Sequence, residues 1–240
     1  APSAIKPAGQ AFTYQGLQDF VTPRALELAE LPGIVADYAA ATKHALEAGF
    51  DGVEVHAANG YLLDQFLRDG SNKRTDQYGG SLENRSRLLL EVVNAVIAVA
   101  GADKVGVRIS PLNPFNDMAD SNPQALFNHV AEVLSPLGLA YLHAVEGGMG
   151  GGDVAPFDFN ELRKHFKGAY IANLSYDKAR GNAAIASGHA DAIAYGVPFL
   201  ANPDLVERFR QDAPLNTPDQ GSFYGGSEKG YTDYPTLQQA

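Results

Sequence analysis

Cysteine is absent from this sequence, which excludes disulfides, thiolate metal sites and cysteine nucleophiles and fits a reducing cytoplasm. The 18 lysines and arginines form no block and are outnumbered by 28 aspartates and glutamates. The formal net charge of −10 therefore argues against nucleic acid or an anionic membrane as a partner. No apolar run approaches about 18 residues, and no signal peptide precedes Ala1. We expect a soluble, cytoplasmic protein.

The order of apolar segments predicts consecutive βα units in a single domain over residues 1–240. The chain has 240 residues, 45% of them hydrophobic, which is enough for one sizeable core. Short apolar strands alternate with longer amphipathic segments, as in parallel α/β proteins. Strands are predicted over 52–55, 105–109, 139–146, 169–174 and 192–196, and helices over 32–48, 82–99, 159–166, 175–187 and 202–210, with a further helix beginning at 122.

The stretch 51–85 carries the strongest chemical signal. It opens as a strand, and His56, Asn59 and Tyr61 follow within a short span where the chain leaves the sheet. Barrels of the α/β type keep their chemistry at such strand ends. An imidazole and a carboxamide can both donate to one oxygen atom, and a nearby phenol can give up a proton. Taken singly, each residue is more typical of a structural role in a strand end, a turn or a core.

Two long motifs change that balance. The first is H-x-A-N-G-Y-L-x-x-Q-F-L from His56, and the second is R-x-D-x-Y-G-G-S-x-x-N-R from Arg74. In this succession they resemble the old yellow enzyme family of FMN-dependent ene-reductases, in the branch of bacterial enoate and nitroester reductases and plant oxophytodienoate reductases. The resemblance implies that His56 and Asn59 hold the carbonyl, nitro or phenolate oxygen of the substrate. It implies that Tyr61 is the proton donor.

The second motif also has a structural interpretation from its own residues. Arg74, Asp76 and Arg85 can pair with one another and with loop carbonyls. Gly79-Gly80 permits a tight reversal, after which Ser81 can cap a helix. We interpret this segment as structural support for the site.

Arg108 lies inside an apolar strand, where a charge needs an anion or another acceptor. In the family, the arginine of the V-G-x-R-x-S-P strand reaches the N1/O2 edge of the flavin, and the alternative for Arg108 is an exposed ion pair. The resemblance also places the FMN phosphate against backbone N–H groups and a helix N-terminus after barrel strands seven and eight. The matching positions are Asn173, Leu174, Ser175, Gly196 and Val197, while Phe223 and Tyr224 would lie near the flavin and the substrate mouth.

Two of the phosphate positions depart from the family pattern. A glycine usually stands in the place of Leu174, and an arginine in the place of Val197. An arginine–phosphate contact is worth about 1.5 to 3 kcal/mol, so its loss would weaken FMN binding by roughly ten- to a hundredfold. Leu174 adds a side chain where the backbone should approach the phosphate closely. The sequence therefore leaves the retention of FMN open.

The resemblance predicts a (βα)8 TIM barrel, of which this chain supplies about strands 4 to 8. Residues 1–31 would be an excursion before the fourth strand, often a hairpin in the family, and 214–240 a C-terminal tail near the active site. The family's first three strands, with their flavin contacts, are missing. An open arc exposes two parallel edges and is not expected to be stable alone. We expect a second chain, a missing N-terminal segment or self-association to complete the barrel.

The glycine-rich segment 147–152 could cradle a phosphate, but it lacks a G-x-G-x-x-G or Walker pattern. We interpret it as a flexible loop on the substrate side. The six histidines show no ligand spacing with carboxylates, so no metal site is predicted.

The leading functional hypothesis is an ene-reductase that takes electrons from NAD(P)H through bound FMN and reduces an electron-poor alkene or nitro substrate. A second hypothesis is a non-catalytic or flavin-deficient partner subunit of a split barrel, which the departures at Leu174 and Val197 favour. A third, a phosphate-binding barrel lyase or isomerase, is weaker because no lysine or carboxylate pair convincingly occupies a strand end.

Overall fold

The computed structural model of the protein describes residues 1–148, 156–224 and 227–238. An antiparallel hairpin comes first in the chain, formed by strands β1 (Gln10–Thr13) and β2 (Gly16–Asp19). Five parallel strands then form one sheet in chain order: β3 (Val53–Ala57), β4 (Val105–Ile109), β5 (Tyr141–Val145), β6 (Tyr170–Asn173) and β7 (Ala192–Ala194). The predicted succession of parallel strands is confirmed.

Helices connect and cover these strands. In chain order they are α1 (Leu31–Glu47), α2 (Leu62–Leu67), α3 (Leu82–Ala100), α4 (Pro123–Leu134), α5 (Phe159–His165), α6 (Lys178–Ala186), α7 (Val197–Ala201) and α8 (Leu205–Gln211). Ser81 caps α3 as predicted, its side chain accepting from the backbone N–H of Asn84 at 3.3 Å. None of the helices in the described ranges combines the length and apolar character that a bilayer crossing requires.

The two faces of the sheet differ in burial. Val55, Val107 and Ile109 point toward the helices and are almost fully buried, and they pack with a stripe on α3 that includes Leu88 and Val92. Fully burying one such side chain stabilises the fold by about 1.5 to 3 kcal/mol. Residues that alternate with them face the other side, which is the concave interior of the arc, and several remain half-buried, namely His56, Arg108, Ile171 and Asn173. The core therefore lies between sheet and helices, and the inner face is left open.

Both sides of the sheet end in an unpaired strand. β3 pairs only with β4, and β7 pairs only with β6, within the part of the chain that the structure describes. The sheet is an open arc and does not close on itself, which is the geometry expected of consecutive units of a larger barrel.

Several predicted boundaries are wrong. The helix predicted over 175–187 begins only at Lys178, because Leu174 and Ser175 have the positive φ angles of 92° and 56° and cannot belong to it. The helix predicted over 202–210 begins at Leu205, after Asp204. The Asn202 side chain instead donates to the carbonyl of Pro198 at 2.8 Å.

Two short helices, α2 and α7, were not predicted. In α2, Leu63, Phe66 and Leu67 are buried at helical spacing. A helix this short is not stable by itself, so packing against the core must stabilise it. Such short segments give too little periodicity to identify from sequence.

The N-terminal excursion is held by the second motif. Arg74 donates to the carbonyls of Pro2 at 3.1 Å and Leu26 at 2.6 Å and pairs with Asp76 at 2.6 Å. Arg85 does not join this pair as predicted, because it lies against Asp120 at 2.6 Å. Gly79 is required here, since a Cβ would lie 2.1 Å from the Arg74 carbonyl oxygen. These contacts are structural, as interpreted from the sequence.

Candidate active site

His56 lies near the carboxyl end of β3, on the inner face and in register with Arg108 of β4. Its ring faces that of Tyr61, with 5.5 Å between the ring centroids. Burial and then the positive charge of Arg108 lower the pKa of the His56 imidazole below its ordinary value. His56 is therefore neutral near pH 7 and can donate one N–H to an oxygen on this face.

Asn59 follows β3 in a left-handed conformation, with φ of 55°. Asparagine tolerates this region better than most residues. Its backbone N–H donates to Ser110 Oγ at 2.7 Å, and its carbonyl accepts from Asn116 Nδ2 at 3.0 Å. Its side-chain Oδ1 accepts from Asn113 Nδ2 at 2.7 Å. The loop after the adjacent strand β4 thus holds Asn59 by three hydrogen bonds.

Tyr61 stands at the start of α2, and 53% of its surface is exposed. Its ring lines a cavity of about 1210 Å³ between the strand-end loops, the N-terminal excursion and the C-terminal tail. Asn59 and Tyr224 also line this cavity, whereas His56 and Arg108 lie outside its lining. Apolar side chains supply much of the remaining wall, among them Phe12, Phe20, Val21, Phe115 and Met118.

Arg108 extends from β4 into the concave face. Its Nη2 donates to Asn173 Oδ1 at 2.8 Å, and Asn173 Nδ2 donates to the carbonyl of Ala194 at 2.8 Å. Among the described residues, no carboxylate forms an ion pair with Arg108, and its buried Nε has no hydrogen-bond partner. The predicted alternative, an exposed ion pair, is therefore not what the structure contains.

A second orphaned atom lies in the same layer. His143 is in register with Arg108 on β5, and its Nδ1 lies 2.9 Å from Glu54 Oε2. Its Nε2 is buried and, within the described residues, has no hydrogen-bond partner. A half-buried cation beside an unsatisfied ring nitrogen is costly in isolation. The guanidinium of Arg108 thus fits an added polar group that carries negative charge on this face.

The predicted phosphate residues lie together after β6 and β7. Leu174 and Ser175 form a strained turn of two successive positive φ angles, and their carbonyls both accept from Arg180 Nη1, at 3.3 and 3.1 Å. Gly196 precedes α7, and Val197, its first residue, is 45% exposed. Val197 carries no charge, so another residue would have to supply the positive charge that balances a phosphate at this position.

The tail brings Phe223 and Tyr224 to the same side of the molecule. Phe223 is half-buried and its carbonyl accepts from the Tyr231 hydroxyl, whereas Tyr224 is largely exposed at the cavity. The predicted loop 147–152 lies mostly outside the described residues, which omit 149–155. In the described ranges no cluster of three histidine or acidic side chains could hold a metal ion.

A buried network behind Asn59 was missed in the sequence. Asp64 is fully buried, accepts from the N–H of Gly60 at 2.9 Å and pairs with Arg68 at 2.8 Å. Arg68 in turn donates to the carbonyls of Ser110 and Pro111, at 2.6 and 2.9 Å. The available signal was a pair of charged residues at i, i+4, one inside the apolar run of α2 and one directly after it.

Comparison with known proteins agrees with this partial barrel. Residues 2–216 match the model of the NADH:flavin oxidoreductase / NADH oxidase family. The chain belongs to this family, which confirms the resemblance found in its motifs.

Three relatives show how far the similarity extends. A provisionally named 12-oxophytodienoate reductase 11 of Oryza sativa subsp. japonica is 50% identical over 238 residues, which are 98% of this chain and 65% of that protein. Morphinone reductase is 49% identical, with a TM-score of 0.94 over 99% of this chain and 66% of its own. An old yellow enzyme homologue from Zymomonas mobilis is 45% identical, with a TM-score of 0.96 over 99% of this chain and 68% of its own.

The coverage defines what this chain contains. The chain spans about 65% of the length of the curated relative and 66% of morphinone reductase. The structural neighbours are TIM barrels, and the five-stranded sheet corresponds to part of such a barrel. The predicted fold class is therefore confirmed.

Proposed function

We propose that the protein is an NAD(P)H-dependent FMN oxidoreductase, in a cytoplasmic setting that its cysteine-free sequence fits, and that it reduces the activated C=C bond of α,β-unsaturated carbonyl or nitro compounds. The observation that carries this proposal is that neutral His56 contacts the Tyr61 ring and lies in register with Arg108, which forms no ion pair with a carboxylate among the described residues. Asn59 lines the same cavity as Tyr61. A structure of morphinone reductase in complex with tetrahydroNAD supports a nicotinamide as the reductant.

Each residue has a role that its position supports. Arg108 would hold the edge of the flavin where negative charge collects, with Asn173 orienting its guanidinium. Residues 173–175, with Gly196 and Val197, would hold the phosphate, and Phe223 would pack near the ring system. These residues would thereby hold FMN, which when bound and reduced by NAD(P)H would supply hydride chemistry toward the β-carbon of the substrate.

The substrate oxygen would lie between His56 and Asn59. An N–H of each side chain would donate to this oxygen, which gains negative charge as the alkene is reduced. Tyr61 would give its proton to the α-carbon, and its exposure to the cavity leaves its hydroxyl accessible to a substrate. Tyr224 would contact the substrate at the mouth.

The chain would need three more βα units to bind FMN well. The open edges of β3 and β7 and the half-buried inner face favour completion by a second chain or by a further segment of the same protein, with self-association as a third arrangement. Residues 1–31 would be the excursion before the fourth barrel strand, and 214–240 the tail over the active site.

A second candidate function is that of a flavin-deficient partner subunit in a split barrel. The strained Leu174 and the exposed, uncharged Val197 at the phosphate positions favour it. An absorbance spectrum of the purified native complex, with the intact mass of every chain present, separates the two. Flavin bands support the enzyme, whereas no flavin after addition of FMN and any partner found would favour the subunit.

Tyr61→Phe tests the mechanism. Removing the proton donor should slow oxidation of the reduced flavin by 2-cyclohexenone by about a hundredfold or more, while reduction of the flavin by NAD(P)H changes less than about twofold. Stopped-flow absorbance follows each half-reaction separately. Tyr14→Phe, at a fully exposed hairpin position, is the matched control. Equal losses of rate in both half-reactions would refute the assignment of Tyr61 as the proton donor.

A further inference from the structure

We propose that Asn113 is a positioning residue, which sets the end of the Asn59 carboxamide that faces the substrate. This inference rests on the proposed function, in which Asn59 donates to the substrate oxygen. A carboxamide has an oxygen that only accepts and an NH2 group that only donates. The two ends are nearly equal in shape, so packing alone does not choose between them, and a hydrogen-bond partner must do so.

The orientation of Asn113 follows from a backbone group. Asn113 is 1% exposed, and its Oδ1 accepts from the N–H of Phe115 at 3.2 Å. A backbone N–H can only donate, so the oxygen of Asn113 must face Phe115. Its NH2 group must then face the other way, toward Asn59.

This orientation dictates that of Asn59. Asn113 Nδ2 lies 2.7 Å from Asn59 Oδ1 and donates to it. The side-chain oxygen of Asn59 therefore accepts from Asn113, and its NH2 group points away from Asn113. This NH2 group has no hydrogen-bond partner among the described residues. The two hydrogen bonds in succession, from the Phe115 N–H to Asn113 and from Asn113 to Asn59, thus leave the NH2 group of Asn59 facing the substrate.

The backbone of Asn59 is held by other groups. Ser110 Oγ accepts from its N–H at 2.7 Å, and Asn116 Nδ2 donates to its carbonyl at 3.0 Å. A change at Asn113 should therefore leave the left-handed backbone at Asn59 in place and act on the carboxamide alone. The inverted carboxamide would present its oxygen to a substrate oxygen, and the two acceptors would repel.

Asn113→Asp reverses the direction of the hydrogen bond between residues 113 and 59 with almost no change of shape. One oxygen of the introduced carboxylate can still accept from Phe115, and the other can only accept, so Asn59 must turn its NH2 group inward. The direct readout is hydrogen exchange of the Asn59 side-chain amide, followed by NMR in the FMN-loaded protein with asparagine labelled with ¹⁵N. We expect fast exchange in the wild type and at least tenfold slower exchange in Asn113→Asp. A protected Asn59 amide in the wild type, or the same exchange rate in both, would overturn the proposal.

Binding of 4-chlorophenol gives the functional readout. Loss and reversal of one donor should weaken its binding to the FMN-loaded protein by about ten- to a hundredfold in Asn113→Asp. Gln220→Glu adds the same charge to the cavity wall with almost no change of shape, at an exposed position away from Asn59, and controls for electrostatics. We expect its effect to be at least tenfold smaller, and equal losses in the two variants would overturn the proposal.

The outcome separates this inference from the proposed function. FMN content should be unchanged in Asn113→Asp. A wild-type protein that neither holds FMN nor binds 4-chlorophenol refutes the proposed function. In that case the amide exchange measured without FMN still decides whether Asn113 orients Asn59.

Discussion

Leu174 is the residue at which backbone geometry conflicts most clearly with residue type. Its φ is 92°, in a region that favours glycine, and Ser175 follows with φ of 56°. We therefore expect the normal order of alanine and glycine to be reversed at this position. At an exposed helical position such as Val99, alanine should give the more stable protein.

The expected magnitude follows from two opposing terms. Positive φ costs a residue with a Cβ about 1 to 2 kcal/mol, and this cost disappears in Leu174→Gly but remains in Leu174→Ala. Glycine loses about 0.4 to 1 kcal/mol through the greater freedom of the unfolded chain. The glycine variant should therefore exceed the alanine variant by roughly 0.5 to 1 kcal/mol in the free energy of unfolding. Both variants lose the same contacts of the leucine side chain beyond Cβ.

Urea unfolding of the matched pairs measures this difference. The free energy of unfolding is extrapolated to water for glycine and alanine at 174 and at 99, with a common slope required within each pair. The expected result is glycine above alanine at 174 and alanine above glycine at 99. Alanine equal to or above glycine at 174 would refute the claim that this turn is strained.

Two further predictions concern the cofactor side of the site. Val197→Arg should tighten FMN binding about tenfold, because a charge-assisted contact at this half-exposed position lies at the low end of its range, about 1.5 kcal/mol; flavin fluorescence titration measures this, and an equal gain from Val197→Gln would show that charge is not the cause. Arg108→Met should raise the pKa of His56 part of the way toward 6.5, since burial, the larger cause, remains. Because folding lowers this pKa, the stability linked to His56 is present above pH 6.5 and is lost as the pH falls through the lowered value. NMR titration of the imidazole should show the higher pKa in the variant, which makes this loss of stability smaller, and an unchanged pKa would exclude Arg108 as a cause.

The strands and long helices were predictable because each repeats one simple pattern. Val53 and Val55 alternate with polar residues, and β3 follows that alternation. In α3 the buried residues recur at helical spacing over several turns, which packing and sequence periodicity specify together. The boundary errors fall at short turns. Nothing in the letters of Leu174-Ser175 indicates positive φ, because neither residue favours it and the chain reversal after β6 imposes it.

The residues His56, Asn59 and Tyr61 could be found because they are close in sequence, whereas Asn113 could not. Asn113 and Asn59 are separated by 54 positions, and no local pattern links them. They meet because β3 and β4 are adjacent and in register, so the loops that leave the two strands lie side by side. A search for polar residues just beyond the arginine strand would have found Ser110 and Asn113 once that adjacency was assumed.

The open arc and the proposed cofactor site have a common physical origin. Within the part of the chain that the structure describes, Arg108 Nε and His143 Nε2 on the inner face have no hydrogen-bond partner, and the outer edges of β3 and β7 pair with no other strand. We propose that three further βα units would pair those edges and supply the remaining flavin contacts. A cofactor that binds only the closed barrel stabilises closure by mass action, so FMN binding and barrel completion would be one linked equilibrium. The protein would then bind FMN despite the poor phosphate contacts at Leu174 and Val197 only if closure of the barrel is itself favourable.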